Sequence, residues 1–402
     1  MNNTANRGRK MAALLFAVLL SVLIVACGSE GSNDNGNKNA DNNKNSNSSK
    51  TTDKAPPLPS DGRFFASNSP WNTEIAGYSK DVNSAQMIDQ ATQRVAVIEQ
   101  PGKNGVKIVY RRVKDGIAIN TEGFAPLVVE VDPNGGGITT NFVCRQSDCG
   151  SGDPSVPDSL VIPPDTRPNP AYDGWLSVID RENRIGYDFW RARRETDDTI
   201  SYQYAKAWTL GGPGFSKPYE VDPQRAVGAR GSGLPLFAGM IDPQQASKGT
   251  IDHALAIAVP GLARRNYVQP ASVTDGVGRQ TSIPAGARIR LRANVDEKLV
   301  LKGVKHRSAA AILSALRTYG AIVVDRAIVP TLYAPLGTSP KLVGNNDLEG
   351  LTLSDFEVVS LPQVYQDPPL GQVNLNGPTK SSTDQSGSSN GTTASTRTGG
   401  GQ

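Results

Sequence analysis

Apolar residues along this chain come in short runs that suit strands better than helices. The runs are rich in β-branched residues and are bounded by Asn, Gly, Asp and Pro, which is typical of strands closed by turns. Because the chain holds 41 Gly and 28 Pro in 402 residues, we expect few long helices. The predicted strands are Val106 to Val113, Leu127 to Val131, Leu176 to Ile179, Ile257 to Val259, Ala287 to Ala293 and Ala321 to Val324.

Helical spacing of apolar residues occurs in two segments, Asn83 to Val95 and Arg307 to Tyr319. Ser308 is the expected cap of the second helix, and Gly320 supplies a left-handed position after it. An apolar strand ending at Asp325 follows. The chain has no internal repeat and no alternating βαβ rhythm. The sequence therefore predicts an all-β dominated fold, an antiparallel β-sandwich or jelly-roll-like domain with one or two accessory helices.

The N-terminus has the pattern of an export signal. Basic residues precede an apolar stretch, residues 11–25, that is too short to span a membrane comfortably. This stretch closes in Ala26-Cys27-Gly28, which resembles a bacterial lipobox and implies cleavage after residue 26 and lipid attachment to Cys27. The alternative is an ordinary secretory signal with a chance cysteine. The prediction is a lipid-anchored protein on the extracytoplasmic face of the cell membrane.

Two polar segments flank the part of the chain that can fold. Residues 27–58 and 371–402 are dominated by Asn, Ser, Gly, Asp, Lys and Thr, a composition typical of a disordered tether and tail. Residues 59–370 are predicted to form a single globular β-rich domain. The formal net charge of +4 loses three units with the basic residues of the signal. The mature chain has no basic stripe, which argues against nucleic acid as a partner.

Cysteine spacing bears on both disulfides and metals. Apart from Cys27, the chain holds only Cys144 and Cys149. In an extracytoplasmic protein, two cysteines this close predict a local disulfide. A metal site is the alternative, although two sulfurs without nearby histidines make half of a zinc site at best. We expect no cofactor and no metal.

The stretch from Gly228 to Pro260 is the best candidate for chemistry. It joins a glycine-rich turn to an apolar strand, and it carries His253, one of 2 histidines, beside Asp252. Imidazole can act as an acid or a base near neutral pH, although a structural histidine bonded near Asp252 explains the pattern equally well. Ser232 lies in a Gly-Ser-Gly turn that could expose a nucleophile, but a tight loop is the simpler interpretation.

Two clusters mix aromatic and polar side chains in the way that sugar recognition requires. Trp71 and Asn72 open the domain, and Trp190 and Arg191 lie on a predicted strand that also contains Asp188. Flat aromatic faces suit the apolar side of a pyranose, and charged groups suit its hydroxyls. The alternative is that these aromatic residues belong to the core.

Two reactions can be built from these residues. Glycoside hydrolysis needs two carboxyl groups, and Asp188, Asp252 and Asp325 each sit at the edge of an apolar strand where burial could raise the pKa. Polysaccharide β-elimination needs a base, an acid and a cation. His253, Tyr267 and Arg290 suit these roles. Arg290 shares one strand face with Arg288 and Arg292, which is either a solvated outer face or the floor of an anion-binding groove.

Several short motifs, SPWNT, FWRARR, GSGLPLFAG, IDHALAIAVP, PAGARIRLR and ALRTYGAIVVD, occur here in one order. In this respect the chain resembles a family of secreted and lipoprotein-type bacterial β-rich proteins of largely unassigned function. The resemblance covers about Phe64 to Val359. It implies a single extracytoplasmic β-rich domain, draws attention to Gly233 and Asp325, and supplies no reaction. After Asp325 the chain departs from the family pattern, with Arg326-Ala327 where a small polar residue and glycine are usual.

The sequence thus favours a membrane-anchored lipoprotein that acts on extracellular or cell-envelope glycan by hydrolysis or β-elimination. A non-catalytic surface protein that binds carbohydrate or another envelope component is the alternative. A structural or sporulation-related envelope protein is a third class, because β-sandwiches host all of these functions.

Overall fold

The computed structural model describes residues 63–99, 106–112, 116–132, 134–146, 149, 156–304 and 306–367. The predicted signal peptide with Cys27, the tether and the tail lie outside the described residues. Within the described ranges, no helix combines the length and apolar character needed to cross a membrane.

Strands dominate the described residues, as predicted, and the helices are few. The helices are α1 (Ser84–Ala91), α2 (Pro223–Ala226), α3 (Pro243–Lys248), α4 (Glu297–Val300) and α5 (Ser308–Thr318). The strands are β1 (Gln93–Glu99), β2 (Val106–Arg112), β3 (Ala118–Asn120), β4 (Leu127–Glu130), β5 (Ile138–Cys144), β6 (Ser159–Ile162), β7 (Leu176–Asp180), β8 (Ile185–Trp190), β9 (Arg193–Thr196), β10 (Thr199–Tyr202), β11 (Tyr204–Thr209), β12 (Leu255–Val259), β13 (Asn266–Val268), β14 (Arg288–Leu291), β15 (Ala321–Arg326), β16 (Thr331–Tyr333), β17 (Phe356–Val358) and β18 (Val364–Gln366).

The described strands form mixed sheets. The largest has the order β17-β14-β15-β12-β16-β3, and two four-stranded sheets have the orders β11-β8-β7-β4 and β6-β5-β10-β9. β1 pairs with β2, and β13 pairs with β18. Among the described strands, most neighbours are antiparallel, but four pairs run parallel: β12 with β15, β4 with β7, β5 with β10 and β3 with β16. The predicted β-rich class with accessory helices is therefore confirmed, and its sheets are mixed rather than purely antiparallel.

β12 and β15 form the centre of the largest sheet and are buried on both faces. Along β12, Leu255, Ile257 and Val259 pack into one apolar cluster together with α5. The intervening Ala256 and Ala258 pack into a second cluster. This cluster includes Trp208 of β11, which belongs to a four-stranded sheet, and Leu210, which follows that strand. Burial on both faces explains why β12 reads as a continuous apolar run instead of an alternating one.

The unit of helix, glycine and buried strand predicted near residue 320 is present. Helix α5 ends at Thr318, and Gly320 adopts φ 68° before β15 begins. A Cβ at Gly320 would lie 2.4 Å from the carbonyl oxygen of Ile289, so the position also requires a close backbone approach. Ser308 does not cap the helix; its hydroxyl donates to the Leu342 carbonyl oxygen at 2.6 Å.

The other predicted helix is shorter than expected. α1 ends at Ala91, and Val95, which we assigned to its apolar stripe, lies in β1 and pairs with Tyr110 of β2. The helical prediction was wrong for these last residues because Val95, Val97 and Ile98 are β-branched and extend together into a hairpin.

The arginines of β14 lie on neither a solvated face nor the floor of an anion groove. Arg288 donates to the carbonyl oxygens of Tyr319 at 2.6 Å and of Pro70. Arg290 donates to the Ile75 carbonyl oxygen at 2.8 Å and pairs with Glu357 at 2.8 Å. These guanidinium groups therefore attach the N-terminal segment, residues 70–76, to the sheet.

The predicted local disulfide is confirmed, since Cys144 and Cys149 are bonded to each other. Cys149 is buried, and it packs in a third apolar cluster with Phe142 and Phe189.

Candidate active site

Asp325 lies near the end of β15 and is only 6% exposed. Its Oδ1 accepts a hydrogen bond from the backbone N–H of Gly231 at 2.9 Å. A Cβ at Gly231 would lie 2.3 Å from the Asp275 carboxyl carbon. The glycine-rich turn therefore brings its backbone against two carboxyl groups at once, which explains why this position has no room for a side chain.

A register shift precedes Asp325. Ile257 of β12 pairs with Val323 of β15, whereas Ala258, the next residue, pairs with Asp325, so Val324 is the extra residue of a bulge. Bulges of this kind redirect side chains and are common beside active sites.

Arg230 lies next to Asp325 with a fully buried side chain. Its Nη2 donates to the Leu236 carbonyl oxygen at 3.0 Å. Its Cζ lies 4.9 Å from the ring centre of Tyr333 and 5.7 Å from that of Trp175. Nε of Arg230 is 3.6 Å from Oδ2 of Asp325, too long for a hydrogen bond but close enough for strong electrostatic attraction.

Asp275 and Arg326 form the more accessible part of this cluster. Oδ2 of Asp275 lies 3.0 Å from Nε of Arg326, and their side chains are 36% and 50% exposed. Arg326 is therefore the direct partner of a carboxylate at the site. Asp325 is thus buried, whereas Asp275 is partly open to solvent.

A third carboxyl group, Asp173, connects the cluster to Trp190. The Trp190 side chain donates a hydrogen bond to the Asp173 carboxylate, and the Arg191 N–H donates to the Asp173 carbonyl oxygen at 2.8 Å. Arg191 adopts φ 57°, and its Cζ lies 5.1 Å from the centre of the Trp190 ring. The cluster thus combines three carboxyl groups, an aromatic side chain and several cations.

Electrostatics separate the roles of the carboxyl groups. Burial raises the pKa of Asp325 to about 8; Arg230 opposes the shift, and the negative charges of Asp275 and Asp173 add to it. Burial also raises the pKa of Asp275, against the opposing charge of Arg326. With a pKa of about 8, Asp325 favours its protonated form at neutral pH, while the Arg326 guanidinium favours the charged form of Asp275.

Several buried polar atoms of the cluster have no hydrogen-bond partner among the described residues. They are Nε and Nη1 of Arg230, Oδ1 of Asp275 and Oδ2 of Asp325. Buried polar groups in proteins are almost always paired. Atoms of this kind gathered around one glycine turn are therefore suited to binding a polar ligand. In the part of the chain that the structure describes, no group of three or more His, Cys, Asp or Glu is arranged to hold a metal ion.

Asp188 is a buried carboxylate of a different kind. It accepts hydrogen bonds from the Ser177 hydroxyl at 2.6 Å, from Nε1 of Trp208 at 2.8 Å and from the Leu236 N–H at 2.7 Å. Burial raises its pKa to about 6, and these donors limit the shift. Asp188 is fully buried, and its hydrogen bonds connect β8 to β7 and β11. Its role is therefore structural.

His253 and Asp252 lie away from the carboxyl cluster. Nδ1 of His253 is 3.0 Å from the Ala254 carbonyl oxygen, and Asp252 pairs with Arg63 at 3.1 Å. Burial lowers the pKa of His253, and the charges that act on it are those of Asp252, Asp242 and Arg63. Asp325 pairs with Ala258 in the parallel register, which places His253 roughly 15 Å away along the strand direction.

The remaining predicted binding residues make internal contacts. Trp71 is 2% exposed, and its Nε1 donates to the Gly214 carbonyl oxygen at 2.9 Å. Asn72 donates to the carbonyl oxygens of Phe65 and Ala66, both at 2.9 Å. The buried Tyr267 hydroxyl accepts from the Tyr219 N–H at 3.0 Å, and its ring stacks on Tyr365. Arg290 is held by Glu357, as described above.

Ser232 does not present a nucleophile. Its side chain is fully buried, and its carbonyl oxygen accepts hydrogen bonds from the backbone of residues 272 and 273. The Gly-Ser-Gly turn serves the site through the N–H of Gly231 rather than through this hydroxyl.

The structure thus assembles three of the residues predicted from the sequence, Asp325, Trp190 and Arg191, with four that sequence reasoning missed: Asp173, Asp275, Arg230 and Arg326. The two missed aspartates each precede a glycine in a loop. That pattern is a weak signal, because Asp-Gly pairs also occur at residues 61–62 and 115–116.

Comparison with known proteins gives no family assignment. No protein-family model matches the sequence, and no curated protein and no solved structure matches it. The resemblance seen in the short motifs stays a prediction.

Proposed function

We propose that this protein is a membrane-anchored extracytoplasmic lipoprotein that hydrolyses glycosidic bonds of extracellular or cell-envelope glycan. The observation that carries the proposal is the pair of carboxyl groups on either side of Gly231, whose surroundings differ. Asp325 is buried and its pKa is raised to about 8, whereas Asp275 is partly exposed and faces Arg326. Pairs of carboxyl groups with separated pKa values are the working parts of glycosidases.

In this reaction Asp325 is the general acid. Its proton passes to the glycosidic oxygen as the bond to the anomeric carbon breaks, and the leaving sugar departs as an alcohol. Asp275 acts as the base that takes a proton from the attacking water, so the products are two sugar chains with one water added. Arg326 bonds to the Asp275 carboxylate and opposes the rise in its pKa that burial causes.

Hydrolysis is favoured over β-elimination by the positions of the side chains that each reaction needs. The residues that suit elimination by their sequence are His253, Tyr267 and Arg290. Each of them makes a separate set of internal contacts. The carboxyl groups that hydrolysis needs lie together at one turn.

The cellular part of the proposal rests on the N-terminal sequence. The basic and apolar residues before Cys27 favour export and lipid attachment. The polar tether after Cys27 would let the domain reach polymer beyond the membrane surface.

The proposal is tested by an activity screen of the full-length protein against cell-wall and plant glycans. Released reducing ends report hydrolysis, and absorbance of unsaturated sugars reports elimination. We expect reducing ends without unsaturation, and a rate lowered about 10³-fold in both Asp325→Asn and Asp275→Asn. Asp252→Asn and His253→Ala are the matched controls, and both should keep wild-type activity within about twofold.

Two outcomes would overturn the proposal. Unsaturated products that disappear in His253→Ala would make the protein a lyase. Binding to a glycan without release of either product would make it the non-catalytic carbohydrate-binding protein that the sequence also allowed.

A further inference from the structure

We propose that Phe124 and Tyr172 form a sugar-binding subsite next to the carboxyl cluster and stack against one pyranose ring of the glycan. This inference rests on the proposed function for the identity of its ligand. Its physical basis is the exposed Phe124 ring and its contact with the half-buried Tyr172, which directly precedes Asp173.

The pair is defined by a direct ring contact. The ring centres of Phe124 and Tyr172 are 4.9 Å apart, with an edge-on angle of 71° between their planes. Phe124 is 50% exposed, although large aromatic side chains usually find burial in a domain of this size. Among the described residues, Tyr78 is the other strongly exposed aromatic, at 53%.

Chain connectivity places this pair at the carboxyl cluster. Tyr172 directly precedes Asp173, so their Cα atoms are about 3.8 Å apart. The backbone of Asp173 is bound on its other side by Arg191, the neighbour of Trp190. Asp173 is therefore linked through the chain to Tyr172 and through a hydrogen bond to Arg191, and its charge acts on Asp325.

The loop that carries Phe124 is fixed by hydrogen bonds at both ends. The Leu336 N–H donates to the Pro126 carbonyl oxygen at 2.8 Å, and the Gly337 N–H donates to the Thr121 carbonyl oxygen at 3.1 Å. Within the loop, the Ala125 N–H donates to the Glu122 carbonyl oxygen at 2.8 Å. A rigid aromatic surface loses little conformational freedom when it binds a ligand.

A pyranose ring is the occupant that fits these neighbours. Its apolar C–H face matches an exposed aromatic face, and its hydroxyl groups can reach the carboxylates and guanidinium groups at the edge. The subsite is linked through Asp173 to the carboxyl cluster, so we expect it to hold a sugar unit near the bond that is cleaved. We expect it to affect binding of polymer and to leave the chemical step unchanged.

The test measures polymer binding and kinetics for Phe124→Ala, with Tyr78→Ala as the matched control of equal exposure. Binding is titrated in the Asp325→Asn background, so that cleavage does not interfere. We expect Phe124→Ala to raise the Kd and the KM for the polymer about tenfold, with kcat within about twofold. Tyr78→Ala should change neither constant, and Phe124→Trp should retain the affinity.

Failure of the subsite and failure of the proposed function give different results. If the protein hydrolyses glycan and Phe124→Ala has the Kd and KM of the wild type, the subsite is overturned and the reaction stands. The same holds if Phe124→Ala lowers kcat at constant KM. Glycan binding that is weakened by Phe124→Ala, without any hydrolysis, would support the subsite and overturn the reaction. A wild-type protein that neither binds nor cleaves any glycan would overturn both.

Discussion

Asp188 and Asp325 illustrate how hydrogen-bond donors set the chemistry of a buried carboxyl group. Both are nearly inaccessible to solvent. Asp188 accepts from three donors, and its pKa rises only to about 6. Asp325 accepts from the Gly231 N–H, and its pKa rises to about 8. Because each donor stabilises the charged form, the sparsely bonded Asp325 is the better proton donor at neutral pH.

Asp173→Asn should move the alkaline limb of the pH–rate profile to lower pH. The negative charge of Asp173 contributes to the raised pKa of Asp325, so its removal lowers that pKa and Asp325 loses its proton sooner. The amide oxygen can still accept the hydrogen bond from Trp190. The measurement is kcat/KM for glycan hydrolysis from pH 5 to pH 10, with Asp252→Asn as the control.

In the wild type we expect activity to fall as pH rises through about 8. An alkaline limb that is identical in wild type and Asp173→Asn would mean that Asp325 is not the acid whose titration limits the rate, or that Asp173 does not act on it.

At the level of elements, β14 organises the N-terminal segment. Its alternating arginines turn toward backbone carbonyl groups of residues 70–76 and of Tyr319. Burial lowers the pKa of Arg288 to about 10, and the guanidinium keeps its charge at physiological pH. Strand β14 thus connects the start of the domain, including the buried Trp71, to the sheet that carries Asp325.

Arg288→Met should destabilise the protein by about 2 kcal/mol. The methionine keeps the apolar stem but leaves partly buried carbonyl groups without donors, which costs about 1–3 kcal/mol. Urea unfolding of both variants at pH 7 measures the change. Arg292→Met is the matched control on the same strand face, since Arg292 is bonded to a single exposed carbonyl group, that of Ser354. Equal losses in the two variants would contradict a role of Arg288 in holding the segment.

At the scale of the whole molecule, several buried carboxyl groups of the described residues have raised pKa values. Burial raises the pKa of Asp188 to about 6, of Asp367 to about 7 and of Asp325 to about 8. Asp367 accepts from the Thr274 N–H at 2.7 Å and so holds the loop on which Asp275 lies. As the pH rises, each of these groups loses its proton in a buried environment that solvates the carboxylate poorly.

Stability should therefore fall as pH rises from about 6.5 to about 8.5. A carboxyl group with a raised pKa in the folded state binds more protons there than in the unfolded state, so its contribution is lost through the folded pKa. His253 has the opposite sign, because its lowered pKa costs stability only below its usual range. We expect Asp325→Asn to reduce the decline by about 2 kcal/mol or less over this interval.

Urea titrations at pH 6.5 and pH 8.5 measure this effect, and Asp252→Asn serves as the exposed control. If wild type and Asp325→Asn lose the same stability between the two pH values, then Asp325 does not titrate in this range.

The sequence by itself determined the local elements of this protein. The strands at Leu127, Leu176 and Ala321, the helix before Gly320 and the disulfide were all predicted, because periodicity, turn residues and short spacing act over a few neighbours. The helix predicted from residue 83 was too long at its C-terminal end. The β-branched residues after α1 belong to the β1–β2 hairpin, which the spacing of apolar residues did not reveal.

Only the tertiary structure decided which side chains meet. Asp173, Asp275 and Asp325 lie far apart in the chain and come together through the parallel pairing of β12 with β15 and the approach of Gly231. Trp71 and Trp190 are alike in sequence terms, yet one is enclosed by the core and the other borders the carboxyl cluster. Burial and long-range pairing arise from contacts between distant segments, and local patterns carry no information about such contacts.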